Sequence, residues 1–243
     1  MKVIGVIPAR YGSTRFPGKP LALIAGKPLL QWVIEAGKKS KLIDQLIVAT
    51  DDERIMKLAE DCNVDAVMTD THLQSGTDRI WAAIKNEQFD IAINIQGDEP
   101  LLTGEVLDIL VQSMINNPKS EMATLGHPFK SLKDIENPNV VKIVLNHNSE
   151  AIYFSRFPIP YSRGIEFSQD VNLQHVGLYG YRKAFLQKFC ETPAQNIELQ
   201  ESLEQLRALY LGAKIQVTSV DYETRGVDQP SDVLIIERKL LGK

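Results

Sequence analysis

Short apolar runs recur through the first hundred residues, each closed by a polar loop. Val3-Ile4-Gly5-Val6-Ile7 ends at Pro8, and Leu46-Ile47-Val48-Ala49, Ala66-Val67-Met68 and Ile91-Ala92-Ile93-Asn94-Ile95 repeat the pattern. Unbroken apolar runs of this length predict strands covered on both faces, as parallel strands are. Between them the apolar positions take helical spacing, over Leu29 to Lys39, Glu53 to Cys62, Asp78 to Lys85 and, after Thr103, Val106 to Ile115. Strand and helix therefore alternate, which predicts a doubly wound α/β sheet whose loops after Ile7, Met68 and Ile95 converge at the carboxyl edge, where such folds bind ligands.

The second half is less regular. Val140 to Leu145, Ala151 to Phe154 and Leu173 to Tyr181 read as longer strands around a proline-rich loop, Phe157 to Tyr161. Glu198 to Leu211 predicts one helix, with Leu199, Leu203, Leu206 and Tyr210 on a core face and Glu198, Glu201 and Gln205 on a polar face. A strand over Ile215 to Val220 and an amphipathic helix over Ser231 to Leu241 close the chain. With no repeat or linker, the expectation is one domain over 1–243, with a lobe at about 129–182 for specificity.

Composition narrows the class. The 243 residues are 44% hydrophobic and 24% charged, enough for a sizeable core. No run nears the roughly 20 apolar residues that span a bilayer, and the stretch after Met1-Lys2 is too short for a signal peptide, so no membrane partner and a cytoplasmic location are expected. The two cysteines, Cys62 and Cys190, lack a metal or redox spacing. A formal net charge of −4 argues against nucleic acid as a partner.

Candidate chemistry begins in the first loop, Pro8-Ala9-Arg10-Tyr11-Gly12-Ser13-Thr14-Arg15-Phe16-Pro17-Gly18-Lys19-Pro20. Glycines let backbone N–H groups approach phosphate oxygens, and Arg10, Arg15 and Lys19 neutralise the charge of a triphosphate. Composition alone balances that reading evenly against a solvated loop. A Walker lysine and a G-x-G-x-x-G are absent, which sets aside P-loop ATPases and nicotinamide dehydrogenases. Asp98, in Gln96-Gly97-Asp98-Glu99-Pro100, follows an apolar strand where an aspartate can hold Mg²⁺. Asp228 is the candidate second carboxylate, although alone it reads as a turn before a helix. Ser75-Gly76-Thr77-Asp78-Arg79 opens a helix and can present N–H groups and hydroxyls to a nucleotide, or simply cap the helix through Thr77. Arg156 suits a carboxylate, and alternation puts His175 and Tyr179 on one strand face.

Taken in order, Ile7 to Lys19 with Pro20-Leu21, Ala49-Thr50-Asp51, Ser75 to Arg79, Gln96 to Pro100, Tyr153-Phe154-Ser155-Arg156, His175 to Arg182, Leu203-Glu204-Gln205-Leu206-Arg207 and Gly226-Val227-Asp228 resemble the 3-deoxy-manno-octulosonate (Kdo) cytidylyltransferases. Sialic acid cytidylyltransferases are similar in the first loop but typically end it with Lys-Asn, where this chain has Gly18-Lys19-Pro20-Leu21. Departures from the family pattern lie at Phe157, Ser162 and Gln229 and in a short loop from Gly164 to Asn172.

The resemblance implies a Rossmann-like nucleotide-diphospho-sugar transferase fold, a homodimer built partly by the second-half lobe, and transfer of CMP from CTP to Kdo for lipopolysaccharide. It implies Lys19, Asp98 and Asp228 as catalytic residues, with Asp98 and Asp228 holding Mg²⁺ and a second Mg²⁺ riding with the β- and γ-phosphates. It assigns Pro8, Ala9, Arg10, Ser13, Arg15, Lys19, Ser75, Gly76, Thr77, Arg79 and Gln96 to the nucleotide, and Arg156, His175, Tyr179, Glu201 and Gln205 to the sugar. The same chemistry on 8-amino-Kdo or sialic acid, and a non-catalytic nucleotide-binding module, are the alternatives.

Overall fold

The computed structural model describes residues 1–12, 15–163, 172–222 and 225–241. They fall into two compact units, one made of Met1–Val111 with Thr224–Lys243, the other of Gln112–Glu223. The second unit is wider than the lobe expected at 129–182. Among the described residues no helix is long and apolar enough to cross a membrane.

The first unit starts with β1 (Val3–Ala9), a 3-10 turn at Lys19–Leu21 and a small hairpin of β2 (Leu23–Ile24) and β3 (Lys27–Pro28). Then come α1 (Leu29–Lys39), β4 (Gln45–Thr50), α2 (Glu53–Asp61), β5 (Asp65–Met68), α3 (Gly76–Ile84), β6 (Ile91–Asn94) and α4 (Gly104–Asn116). The strands pair in the order β6-β1-β4-β5, every pair parallel. Ile4, Val6, Ile7, Val48 and Ile93 are fully buried, as the apolar runs predict, each contributing roughly 1.5–3 kcal/mol to folding. Parallel strands that start together also end together. The residues after Ala9, Thr50, Met68 and Asn94 thus gather at one edge.

The second unit holds β7 (Met122–Pro128), α5 (Leu132–Glu136), β8 (Lys142–Leu145), β9 (Ala151–Ser155), β10 (Asn172–Arg182), α6 (Lys183–Glu191), α7 (Asn196–Glu201), α8 (Leu206–Tyr210) and β11 (Ile215–Ser219). β7 lies between β11, to which it is parallel, and β10, to which it is antiparallel; β8 joins β10 and β9. The hydrophobic pattern gives no element to the segment 122–128, and ladders on both sides hold it extended. Finally α9 (Pro230–Leu240) returns to the first unit, where Ile236 and Val227 pack against Ile24 and Leu29.

Two local expectations are corrected. Glu198 to Leu211 is not one helix: α7 stops at Glu201, Ser202 turns left-handed at φ 52°, and α8 restarts at Leu206. In a continuous helix Glu198 and Arg207 would stand about 13 Å apart along the axis. The break lets them meet as a buried ion pair, with the Arg207 Nε donating to Glu198 Oε2 at 2.8 Å. The expected faces therefore do not hold, since Glu198 and Gln205 are buried while Leu199 and Tyr210 are 62% and 63% exposed. The cap of α3 is Ser75 rather than Thr77: its oxygen accepts from the Asp78 N–H at 3.1 Å, and Thr77 is fully buried.

Candidate active site

At the carboxyl edge of the first unit's sheet lies a cleft of about 300 Å³. Pro8, Ala9, Arg10, Arg15, Lys19 and Pro20 line it from the first loop, Leu73, Gln74, Ser75, Gly76 and Arg79 from the start of α3, and Gln96, Gly97, Asp98 and Asp228 from the other side. Eleven of the expected nucleotide, catalytic and metal residues thus share one cleft: Pro8, Ala9, Arg10, Arg15, Lys19, Ser75, Gly76, Arg79, Gln96, Asp98 and Asp228. Thr77 does not line it, and Ser13 lies outside the described residues. Leu73 and Gln74 join the lining without any sequence signal.

Close backbone packing sets this geometry. A Cβ on Gly97 would lie 3.0 Å from the Pro8 carbonyl oxygen, so only glycine lets the Asp98 loop approach the end of β1 without a shift. Gly18, at φ 70°, turns the first loop beneath the Tyr11 ring and brings Lys19 inward. Asp228 reaches the cleft from the opposite end of the chain. The Val227 N–H donates to the Asp98 carbonyl at 2.9 Å while the Val227 side chain is buried with Ile24. The N–H groups of Asp228 and Gln229 both donate to Asp232 Oδ2 at 2.9 Å, opening α9 with a capping box. Burial opposes ionisation of Asp232, but those two N–H groups outweigh it and hold its carboxyl below the ordinary range.

The charges interlock. Lys19 Nζ sits 2.7 Å from Asp98 Oδ2 and 4.0 Å from Asp228 Oδ1, and Arg15 Nη2 stands 3.5 Å from Asp228 Oδ1. Arg79, by contrast, is buried and turned inward, pairing with Asp51 at 3.0 Å.

The expected sugar residues all fall in the second unit. Arg156 donates to the carbonyls of Glu201, Pro138 and Ser202 at 2.7, 3.0 and 3.2 Å, so three of a guanidinium's five N–H groups are engaged among the described residues. The Glu201 carboxylate accepts from the Ser155 hydroxyl at 2.7 Å and the Arg156 N–H at 2.9 Å, so the pair clamps α7 to β9. Lys142 is fully buried behind them and donates to the carbonyls of Asn137, Val140 and Arg156, a role that nothing in the sequence announces. Gln205 is buried, and its Nε2 has no hydrogen-bond partner among the described residues. Burial, with the Glu204 carboxylate behind it, pushes the Tyr179 hydroxyl well above its ordinary pKa.

His175 packs between Phe154 and Tyr179, with ring centroids at 5.2 and 5.3 Å. Thr124 Oγ1 has one proton, directed at the Val176 and Leu178 carbonyls, so it accepts from His175 Nε2 at 3.0 Å and assigns the ring its Nε2–H tautomer. Burial lowers the imidazole from 6.5 to about 3. An unfolded chain takes up that proton below about pH 6.5 whereas the fold refuses it until about pH 3. Stability therefore declines with falling pH across that window, by up to ~1.4 kcal/mol per pH unit. Urea titrations at pH 7 and 4.5 should show His175→Gln losing less stability than the parent between the two; equal losses would mean that the ring titrates freely.

A family model described as cytidylyltransferase matches residues 4–215. The 3-deoxy-manno-octulosonate cytidylyltransferase of Bdellovibrio bacteriovorus is 54% identical over 243 residues, covering 99% of this chain and 98% of that one. Its counterpart from Thermodesulfovibrio yellowstonii is 44% identical over 252 residues, with 99% and 98% covered. Among solved structures, a CMP:2-keto-3-deoxy-manno-octonic acid synthetase complexed with CTP superposes with a TM-score of 0.94 at 40% identity, covering 100% of this chain and 99% of that one. Likeness at this level over the whole length leaves one placement: the chain belongs to the 3-deoxy-manno-octulosonate cytidylyltransferase family.

Proposed function

We propose that this chain transfers CMP from CTP to Kdo, releasing pyrophosphate and supplying an activated sugar for lipopolysaccharide. The observation that carries the reading is one cleft in which the first-loop cations face Asp98 and Asp228. In the reaction the sugar's anomeric oxygen bonds to the α-phosphorus as the bond to the β-phosphate oxygen breaks opposite it. Positioning and charge neutralisation dominate such chemistry. Arg10, Arg15 and Lys19 take the phosphate oxygens, with Lys19 turning from Asp98 to the nucleotide. Ser75, Gly76 and Gln96 contact the nucleoside, and His175, Tyr179 and Gln205 hold sugar hydroxyls.

Mg²⁺ fits the donor set. Asp98 and Asp228 both line the cleft, on backbone segments joined by the Val227 N–H to Asp98 carbonyl bond. A hard cation that takes one or two protein carboxylates and completes its shell with phosphate and water suits such a pair. When bound it supplies Lewis-acid polarisation of phosphoryl oxygens and eases loss of a hydroxyl proton. A second ion travelling with the β- and γ-phosphates belongs to the same reading.

A coupled pyrophosphate assay with CTP, Mg²⁺ and Kdo, 8-amino-Kdo or sialic acid tests the proposal. Kdo should turn over fastest; faster use of another sugar reassigns the acceptor, and no pyrophosphate with any of them removes the activity. In the same assay Arg156→Ala should raise the KM for Kdo roughly tenfold or more, the loss of a charged hydrogen bond, with the KM for CTP nearly unchanged. An unchanged KM for Kdo would leave Arg156 only its clamp on Glu201 and Ser202. The homodimer also belongs to the reading, supported by the exposed Ile152, Phe157 and Tyr161 of the second unit.

A further inference from the structure

Asp51 does not line the cleft, yet two of the cleft's walls hang on it. Its Oδ1 accepts from the backbone N–H of Tyr11 at 3.2 Å, and its Oδ2 accepts from Arg79 Nη2 at 3.0 Å. Tyr11 ties the first loop at both ends. Its carbonyl accepts from the Gly18 N–H at 3.0 Å, and its ring carries the Arg54 guanidinium at 3.5 Å, which Asp52 holds in place through bonds of 2.9 and 2.7 Å. Arg79 is fixed from the other side as well. Thr69 Oγ1 gives its proton to the Thr50 carbonyl at 2.9 Å and so offers a lone pair to Arg79 Nη1 at 2.5 Å.

We propose that Asp51 is a positioning residue for the nucleotide: one carboxylate sets the first-loop wall and the Arg79 wall of the cleft at once. The inference rests on the reading of the cleft as the CTP site. Its physical core is that a carboxylate accepts with both oxygens, whereas an amide accepts with one and donates with the other. Asp51→Asn must therefore turn an NH₂ toward either the Tyr11 N–H or the Arg79 guanidinium. Whichever way it flips, one wall loses its anchor with almost no change in volume.

The test measures CTP binding in the presence of Mg²⁺ by calorimetry, together with the KM values for CTP and Kdo, in wild type, Asp51→Asn and Thr69→Val. Asp51→Asn should weaken CTP about tenfold in both Kd and KM, the order expected for one charged hydrogen bond, with the KM for Kdo changed less than twofold. A purely structural residue would lower Tm without separating the two substrates. If Asp51→Asn folds and binds CTP within twofold of wild type, the proposal is overturned. If it does not fold, Thr69→Val decides: weakening of CTP by about threefold, the lower end for one lost hydrogen bond, supports the wiring, and unaltered affinity overturns it. Failure of wild type to bind CTP would instead remove the reading of the cleft, and this inference with it.

Discussion

On the proposed reading, Asp98→Asn and Asp228→Asn should each lower turnover by roughly a thousandfold while leaving the fold intact, because each would remove a charge beside the reacting phosphate and changes little volume. The double variant should be barely slower than either single one, since both groups act as a unit. Their partners sharpen the expectation. Asp98 is 2.7 Å from Lys19, so its loss also frees that lysine from its counter-ion, whereas Asp228 meets Arg15 and Lys19 at 3.5 and 4.0 Å from a more exposed position. Asp98→Asn should therefore disturb CTP binding more than Asp228→Asn. Single-turnover rates with CTP and Kdo check both points; full activity in either variant would take that residue out of the chemistry.

Arg207→Leu should destabilise the protein by about 3–5 kcal/mol, the range seen when one partner of a buried pair is removed. Arg207 and Glu198 are 6% and 7% exposed, so the carboxylate left behind has no water to turn to. Arg207 Nη1 also donates to the Phe189 and Thr192 carbonyls at 3.3 and 3.2 Å, which joins the end of α6 to α8. Glu198→Gln combined with Arg207→Leu should recover a large part of the loss, because the stranded charge is then gone. Chemical denaturation of the three variants distinguishes this from a surface pair, for which removing Arg207 would cost within about 1 kcal/mol.

This pair also shows where sequence reading stops. The first unit was legible because its strands are unbroken apolar runs and its α1 keeps helical spacing from Leu29 to Lys39, the bounds found. Those strand ends fix where the loops go, so the convergence of Arg10, Lys19, Ser75 and Asp98 follows from the alternation alone. The helical face drawn through Glu198, Glu201 and Gln205 failed because periodicity assumes a continuous helix. Ser202 breaks it at φ 52°, and the pairing that makes the break worthwhile joins residues nine positions apart. The roles of Asp51, Asp232 and Lys142 escaped for a similar reason. Their partners are backbone N–H and carbonyl groups and distant side chains, and no spacing rule in a single sequence encodes those. α6 is a different case, since the spacing of its buried Phe185, Leu186 and Phe189 carries an amphipathic signal that propensity alone understates.

The origin of Asp228 has a consequence for synthesis on the ribosome. Lys19 and Asp98 belong to the first segment of their unit, Met1–Val111, but Asp228 arrives with the last, Thr224–Lys243, seated by Val227 and Ile236 against Ile24 and Leu29. A nascent chain that has produced only the first segment carries the first-loop cations of the cleft and Asp98 alone of the two carboxylates. The whole second unit must be translated before the other carboxylate exists. On the proposed reading, chains stalled or clipped ahead of residue 225 lack Asp228, so only the finished chain carries both acids of the pair.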